Sequence, residues 1–436
     1  MTLILLFGVF LLLAVLSVPI AAAIGVGVFA SILESGTINM TYVIRGLVTN
    51  VDSFTMTAIP FFVLAGQIMA KCGISQGLFD AANAFLGRRK GGIMMVTVLA
   101  CMVFGAITGS AFATAASIGI IVLPELQKQG VPKGACAALI AVGGCLGQMI
   151  PPSLGLVVLG GMNNISISGL FMAEIIPGLF CGLCFIAYCA YFGHKHNICD
   201  VNGKKYSFKE KMLVLWQSKW ALLMPIIILG GIYSGIFTPT EAAVVSVVYG
   251  FLFGVIKSWY LKSKGEEPIF RATDVLPMLQ DTVLTTVGIM FIVGISSGFG
   301  KILTLEGFPG MLSNLAVKYV NSKGMAILLM AFVLLILGTF LDGTAINVIV
   351  SPILYSLATQ YGIPDYHFGV IFVFVSTLGL LTPPLGANLF VAAQISDTTF
   401  EDTVKYIWPW ILIFVIALIP VLFFPGFSTW LPGMMK

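Results

Sequence analysis

The dipeptide Pro-Pro occurs twice in this chain, at Pro151–Pro152 and at Pro383–Pro384, each time in the middle of an apolar stretch long enough to cross a bilayer. Proline has no N–H to donate, and its ring clashes with the carbonyl four residues back. Two in succession break a helix. The carbonyls freed are those of Gly147 and Gln148 in one stretch and of Gly379 and Leu380 in the other. In hydrocarbon an unpaired carbonyl is costly, so broken backbone at that depth must be covered by protein or face a wet cavity. A pair of such breaks is the pattern of ion-coupled carriers, which hold ions and substrate near the midplane on discontinuous helices.

Composition agrees with a membrane setting. Of 436 residues, 58% are hydrophobic and 9% charged, against roughly 25% charged in soluble proteins. The fold class expected is an all-α polytopic membrane protein. No basic cluster meets a soluble domain, which argues against nucleic acid as a partner. Cys181 and Cys184 share a C-x-x-C spacing, but no second pair or nearby His completes a zinc site. No Gly-x-Ser-x-Gly elbow, His-Glu-x-x-His or P-loop is present, so the reading is not an enzyme, and no ATP drives it from this chain.

Apolar runs of about 20 residues predict crossings near 3–33, 54–71, 134–162, 168–193, 212–236, 241–262, 275–300, 366–394 and 404–427. The first is read as one retained span bent near Pro19. Two further regions, 91–127 and 324–358, have polar, glycine-containing centres at Gly105–Gly109–Ser110 and Asp342–Gly343–Thr344. Both are read as re-entrant hairpins whose tips stop inside the membrane. Segments 74–87 and 308–320 read as amphipathic arms. Basic residues cluster at Arg88–Arg89–Lys90, in 194–211 and in 257–271. The positive-inside rule puts all three in the cytoplasm, with the N-terminus inside and the C-terminus in the periplasm.

A shift of 232 pairs Pro151 with Pro383, Pro132 with Pro364, Pro152 with Pro384 and Pro177 with Pro409. The same shift pairs Gly66, Gly92, Gly130 and Gly147 with Gly298, Gly324, Gly362 and Gly379. Proline is only 20 of 436 residues, so the coincidence marks an internal repeat. A looser match, Pro19 with Pro239, has a shift of 220. The division expected is 1–211 as the first repeat with a basic loop, 212–236 as a connecting transmembrane helix, and 237–436 as the second repeat. The predicted topology runs the copies in opposite directions, which suits alternating access.

Each hairpin tip is expected to meet the broken helix of its own repeat. The first assembly combines Gly109, Ser110 and Thr114 with Gln148, Pro151, Pro152 and Ser153. The second combines Asp342, Gly343, Thr344 and Asn347 with Thr382, Pro383, Pro384 and Asn388. Carbonyls and hydroxyls suit a hard monovalent cation, and half-helix N-termini suit an anion. Candidate cation ligands are Gly109, Ser110, Gly147, Gln148, Pro151, Asp342, Gly343, Thr344, Gly379, Thr382 and Pro383. Candidate substrate ligands are Ser110, Ser153, Asp342, Thr344, Asn347 and Asn388. The competing reading of the small residues is close helix packing. Asp342 is a carboxylate at membrane depth, which needs a partner there; it also fits a cap. Glu241 reads as a first-turn acid after Pro239, with Thr240 as cap. Asp52 and Ser53 could cap or could reach the first tip.

These stretches resemble the large membrane subunit of tripartite ATP-independent periplasmic (TRAP) transporters. The matching motifs are Asp52-Ser-Phe with Ala58-Ile-Pro-Phe, Gly109-Ser-Ala, Ile150-Pro-Pro-Ser153, Phe237-Thr-Pro-Thr-Glu-Ala-Ala243, Phe340-Leu-Asp342 and Leu381-Thr-Pro-Pro-Leu-Gly386. The resemblance implies a sodium-driven importer of organic acids in the bacterial inner membrane, working by an elevator motion of a transport domain against a scaffold. It implies a small four-helix membrane subunit and a periplasmic substrate-binding protein as partners, and no cofactor beyond sodium as coupling ion. Ser153 and Asp342 match family positions linked to transport. Sialic acid carriers of the family have an arginine before the second hairpin, where this chain reads Ile302-Leu-Thr-Leu-Glu306. The substrate stays open between a C4-dicarboxylate and a sugar acid. A stand-alone sodium-coupled symporter, or an ion antiporter, is the alternative.

Overall fold

The computed structural model describes residues 2–16, 18–36, 39–199, 206–308, 310–311, 319–341, 343–384 and 386–434. Among them every regular element is helical. The chain opens with α1 (Thr2–Val15), α2 (Ile20–Ser35), α3 (Met40–Val51), α4 (Ala58–Lys71) and α5 (Ile74–Leu86). The first hairpin is α6 (Gly92–Thr108) and α7 (Ala111–Lys128). The first broken helix is α8 (Lys133–Met149) with α9 (Leu154–Asn163), and α10 (Ile167–Lys195) closes the first copy. Then come α11 (Phe208–Gln217), α12 (Lys219–Tyr233), α13 (Pro239–Ser263) and α14 (Ala272–Leu305). The second copy repeats the motif. It has a hairpin of α15 (Lys323–Phe340) and α16 (Gly343–Gln360), a broken helix of α17 (Asp365–Gly379) and α18 (Ala387–Ile395), then α19 (Phe400–Phe423) and the short α20 (Gly426–Thr429).

Among the described residues four helices, α10, α13, α14 and α19, are each long and apolar enough to cross a bilayer. The breaks fall where proline and glycine dictate. Pro132 and Pro364 stand at the N-caps of α8 and α17 with extended ψ of 142°, as suits a residue that cannot donate. Both Pro-Pro bonds are cis, and α9 leaves α8 at 40°. From Gly134 to Met149, and from His367 to Gly379, every residue is buried. A helix apolar all round is a core helix, and these two form the centre of the molecule.

The copies run in opposite directions. Lys133, at the start of α8, donates to the Asp397 carbonyl beyond the end of α18 at 3.2 Å. At the other face Gly169, just after α9, packs against Tyr366 at the start of α17. The broken helices therefore lie antiparallel. They cross where Cys145 Sγ approaches the Thr377 carbonyl at 3.9 Å. Residues 145 and 377 are 232 apart, so repeat-related positions touch, which places the pseudo-two-fold axis between them.

Three sequence expectations need correction. The run 3–33 is not one span. Thr2 Oγ1 donates to Glu34 at 3.0 Å and Ser31 Oγ to the Thr2 carbonyl at 3.3 Å, so α1 and α2 fold back on each other. The N-terminus thus lies beside Glu34 rather than across the molecule from it. The segment 212–236 is not one helix either. It bends by 60° between α11 and α12, where Ser218 Oγ donates to the Gly77 carbonyl at 2.8 Å, and no residue of α11 is buried. Finally, the cap of α13 is Thr238, in a capping box with Glu241. Thr240 instead donates to the Phe54 carbonyl at 3.1 Å. The arm expected over 74–87 is α5, set at 65° to α4 by Gly73 at φ +69°, a backbone region open chiefly to glycine. Most of the arm expected over 308–320 lies outside the described residues.

Candidate functional site at the paired helix breaks

In each copy the first hairpin arm meets the broken helix glycine to glycine. A Cβ on Gly105 would lie 2.5 Å from Gly147 Cα, and one on Gly379 would lie 2.5 Å from Gly338 Cα. Real Cβ atoms do not come so close, so only paired glycines permit these crossings, much as small residues do between membrane helices. Gly105 stands out in sequence as part of a polar hairpin centre. Gly338 carries no such flag, although it sits close to the repeat shift from Gly105.

The first tip is built on its break. Gly109, at φ +62°, ends α6 and presses on the Pro152 carbonyl. Its own carbonyl accepts from Leu154 N at 3.1 Å. Ser110 caps α7 by accepting from Ala113 N at 3.4 Å. Thr114 and Thr108 share a hydrogen bond of 2.8 Å. A Cβ on Gly147 would collide with Thr114 Oγ1 and come 2.7 Å from the Ser110 carbonyl. Ser153 Oγ donates to the Gln148 carbonyl at 2.8 Å. That carbonyl is therefore already engaged. So are the other two predicted to be freed at the second break: Gly379 O accepts from Thr382 N at 2.9 Å and Leu380 O from Asn388 N at 3.2 Å. Thr382 Oγ1 turns back to the Leu378 carbonyl at 2.8 Å.

The second tip touches both copies. A Cβ on Gly343 would lie 3.1 Å from Gln148 Nε2. One on Gly155 would lie 3.0 Å from Gln148 Nε2 and 3.3 Å from Asn347 Nδ2. Gln148 and Asn347 thus stand together, one from each repeat. Asn388, from the second break, donates to the Ala141 carbonyl of α8 at 2.6 Å. Both pairings run between the copies, in addition to the contact of the first tip with its own break. Asp342 lies outside the described residues, as does the side chain of Thr344, whose backbone is in the first turn of α16. Ser53 caps locally, accepting from Met56 N at 3.3 Å, and Asp52 ends α3.

The polar atoms here are not all satisfied. Among the described residues both amide atoms of Asn347, Asn388 Oδ1 and Thr377 Oγ1 are buried without a hydrogen-bond partner. Asn347, Asn388 and Thr377 each have 0% of their surface exposed. All three pack on the 141–155 stretch of the first copy. Buried polar groups nearly always have partners, and exceptions call for an explanation such as a missing ion or ligand. Gln148, Asn347, Asn388 and Thr377 carry no carboxylate, imidazole or amine. The donor set is hydroxyls, amides and backbone carbonyls near helix termini, which fits a hard cation and an organic anion side by side. Thr377 escaped the sequence reading, since nothing separates one threonine in an apolar helix from a packing residue.

The family model described as "Tripartite ATP-independent periplasmic transporter, DctM component" matches residues 7–427. The chain is similar to the isethionate TRAP transporter permease protein DctMQ of Oleidesulfovibrio alaskensis, at 35% identity over 98% of this chain and 66% of that protein. It is similar to the C4-dicarboxylate TRAP transporter large permease DctM of Pseudomonas aeruginosa, at 34% identity over 88% of this chain and 87% of that one. The sialic acid TRAP transporter large permease SiaM of Vibrio cholerae is 32% identical over 92% of each chain. Among solved structures, the YdaH transporter of Alcanivorax borkumensis shares the fold with a TM-score of 0.51 and 15% identity, over 90% of this chain and 88% of that chain.

Proposed function

We propose that this chain, which belongs to the DctM component family of the tripartite ATP-independent periplasmic transporters, imports an organic acid anion across the bacterial inner membrane on a sodium gradient. The observation that carries the proposal is the group of buried, partnerless polar atoms on Asn347, Asn388 and Thr377 at the crossing of the two breaks. A bound cation and the anion's oxygens would supply the partners that the protein itself does not. The ligands we assign to the ion and the anion further include Ser110, Gln148, Ser153, Gly343 and Thr382, together with Asp342 and Thr344. The anion needs no lysine or arginine in this reading. The N-terminal ends of α7, α9, α16 and α18 would supply positive dipole ends.

Alternating access follows from the antiparallel copies. Hairpins and broken helices form one packed body, and α4, α12, α13 and α14 form a frame beside it. We assign the first to an elevator-like carriage and the second to its fixed scaffold. The basic loops would face the cytoplasm and the C-terminus the periplasm. The two other parts of the tripartite system would be a small four-helix membrane subunit and a periplasmic binding protein that delivers substrate. Relatives are named for isethionate, C4-dicarboxylates and sialic acid, and the substrate falls within that range of small organic anions.

The test is uptake into proteoliposomes holding the chain with both partners. Isethionate, a C4-dicarboxylate and sialic acid are each offered with an inward sodium gradient, and again with potassium in its place. One anion should accumulate in sodium alone, and only when the binding protein is present. Accumulation without the binding protein would favour a stand-alone symporter, and equal uptake in potassium would remove sodium from the mechanism.

A further inference from the structure

Glu174 lies two turns into the long membrane helix α10 with 0% of its surface exposed. Among the described residues neither of its carboxyl oxygens has a hydrogen-bond partner. Its neighbours one turn away fix the direction it faces. Leu170 packs into Gly160 of α9 and Gly369 of α17, and Gly178 packs on the Met149 carbonyl and Ile150 at the first break. Residues 170, 174 and 178 share one face of the helix. Glu174 therefore faces the first broken helix, between Gly160 and the break at Met149–Ile150.

A second partnerless group stands nearby. The Tyr233 hydroxyl, at the end of α12, is buried without a hydrogen-bond partner among the described residues, and it interacts electrostatically with Glu174. α10 packs on the hairpin and broken helices, whereas α12 packs on α13 of the frame. The two groups thus sit on touching helices, one from each body. The other buried titratable side chains on elements against α10 are Cys101 on α6, Cys136 and Cys145 on α8, and His367 on α17. Both ring nitrogens of His367 are engaged, with Ser428 Oγ at 2.8 Å and the Leu422 carbonyl at 3.2 Å. Among the described residues no cation pairs with Glu174.

A lone carboxylate is not kept in a dry membrane interior, whereas a neutral carboxylic acid is tolerated there. An ionisable side chain at such a position is a functional group by default. We propose that Glu174 and Tyr233 form a proton-exchange site at the joint: the proton sits on Glu174 while α10 and α12 are together, and passes to water when they part. The step breaks the carboxyl O–H bond, leaves its electron pair on the carboxylate and hands the proton to solvent in the opened joint. This site is separate from the sodium and anion sites proposed above, and its test involves no transport.

Infrared spectra of the full chain in lipid nanodiscs at neutral pH should show the C=O stretch of a protonated carboxylic acid. Glu174→Gln should abolish that band, and Tyr233→Phe should shift it. Glu174→Asp, which keeps the acid, should move the band without removing it, and serves if the glutamine variant fails to fold. Transfer to D2O should shift the wild-type band, and a cross-link holding α10 to α12 should slow that shift at least tenfold. A wild type lacking the band, a band that survives Glu174→Gln, or an exchange rate unchanged by the cross-link would overturn the proposal.

Discussion

Asn347 concentrates the tension between stability and function in one side chain. Both of its amide atoms are buried and partnerless among the described residues, and a polar group in that state costs about 1–3 kcal/mol. Asn347→Leu keeps the branched shape and the number of heavy atoms and removes that cost. The variant should unfold at higher temperature, gaining about 1–3 kcal/mol, while sodium-dependent uptake falls at least tenfold. Thermal unfolding in detergent and proteoliposome uptake measure the two halves. Unchanged uptake would remove Asn347 from the ion and substrate machinery. Asn388 differs, because its Nδ2 already holds the Ala141 carbonyl at 2.6 Å, so its loss would also cost a bond between the copies.

At the scale of elements, the hairpin of α1 and α2 makes a sharp prediction. A Cβ on Gly27 would lie 3.7 Å from Phe10 Cβ, within the Cβ separation of a disulfide, about 3.5–4.5 Å. Phe10→Cys with Gly27→Cys should therefore cross-link under mild oxidation, read by mass spectrometry of the peptides. A continuous helix would hold the two about 25 Å apart, and no cross-link would form. The sequence missed this hairpin because apolar residues facing lipid and apolar residues facing another helix have the same composition. It missed the corner at Ser218 for a related reason. No proline or glycine marks it, and the anchor is a hydrogen bond to Gly77, 141 positions away. Hairpin tips and helix breaks were legible because glycine and proline write them directly. Their partners were not, since the contacts of Gln148 with Gly343 and of Asn388 with Ala141 join distant segments that no local pattern connects.

For the molecule as a whole, those cross-contacts mean that the two breaks do not act alone. Each is tied to the other copy by an amide side chain, Gln148 at the first break and Asn388 at the second, so ordering one orders its counterpart. Sodium should therefore slow amide hydrogen exchange over 147–155 and over 380–388 together, and potassium should slow neither. Hydrogen exchange with mass spectrometry reads both peptides in one experiment. Protection of one segment without the other would show that the copies bind ions independently.

The bare backbone-to-backbone crossings of Gly105 with Gly147 and Gly338 with Gly379 also bear on how a duplicated chain can drift in length. Two main chains in direct touch lock their register, so neither can gain or lose a residue without dislodging the other. At the proline and glycine pairs from Gly66 to Pro177 the offset is 232, and at the crossing pair Gly105 and Gly338 it is 233, while nearer the N-terminus, at Pro19 and Pro239, it is 220. A difference of 12 residues (232 against 220) has accumulated ahead of the glycine-locked region, against a single residue within it.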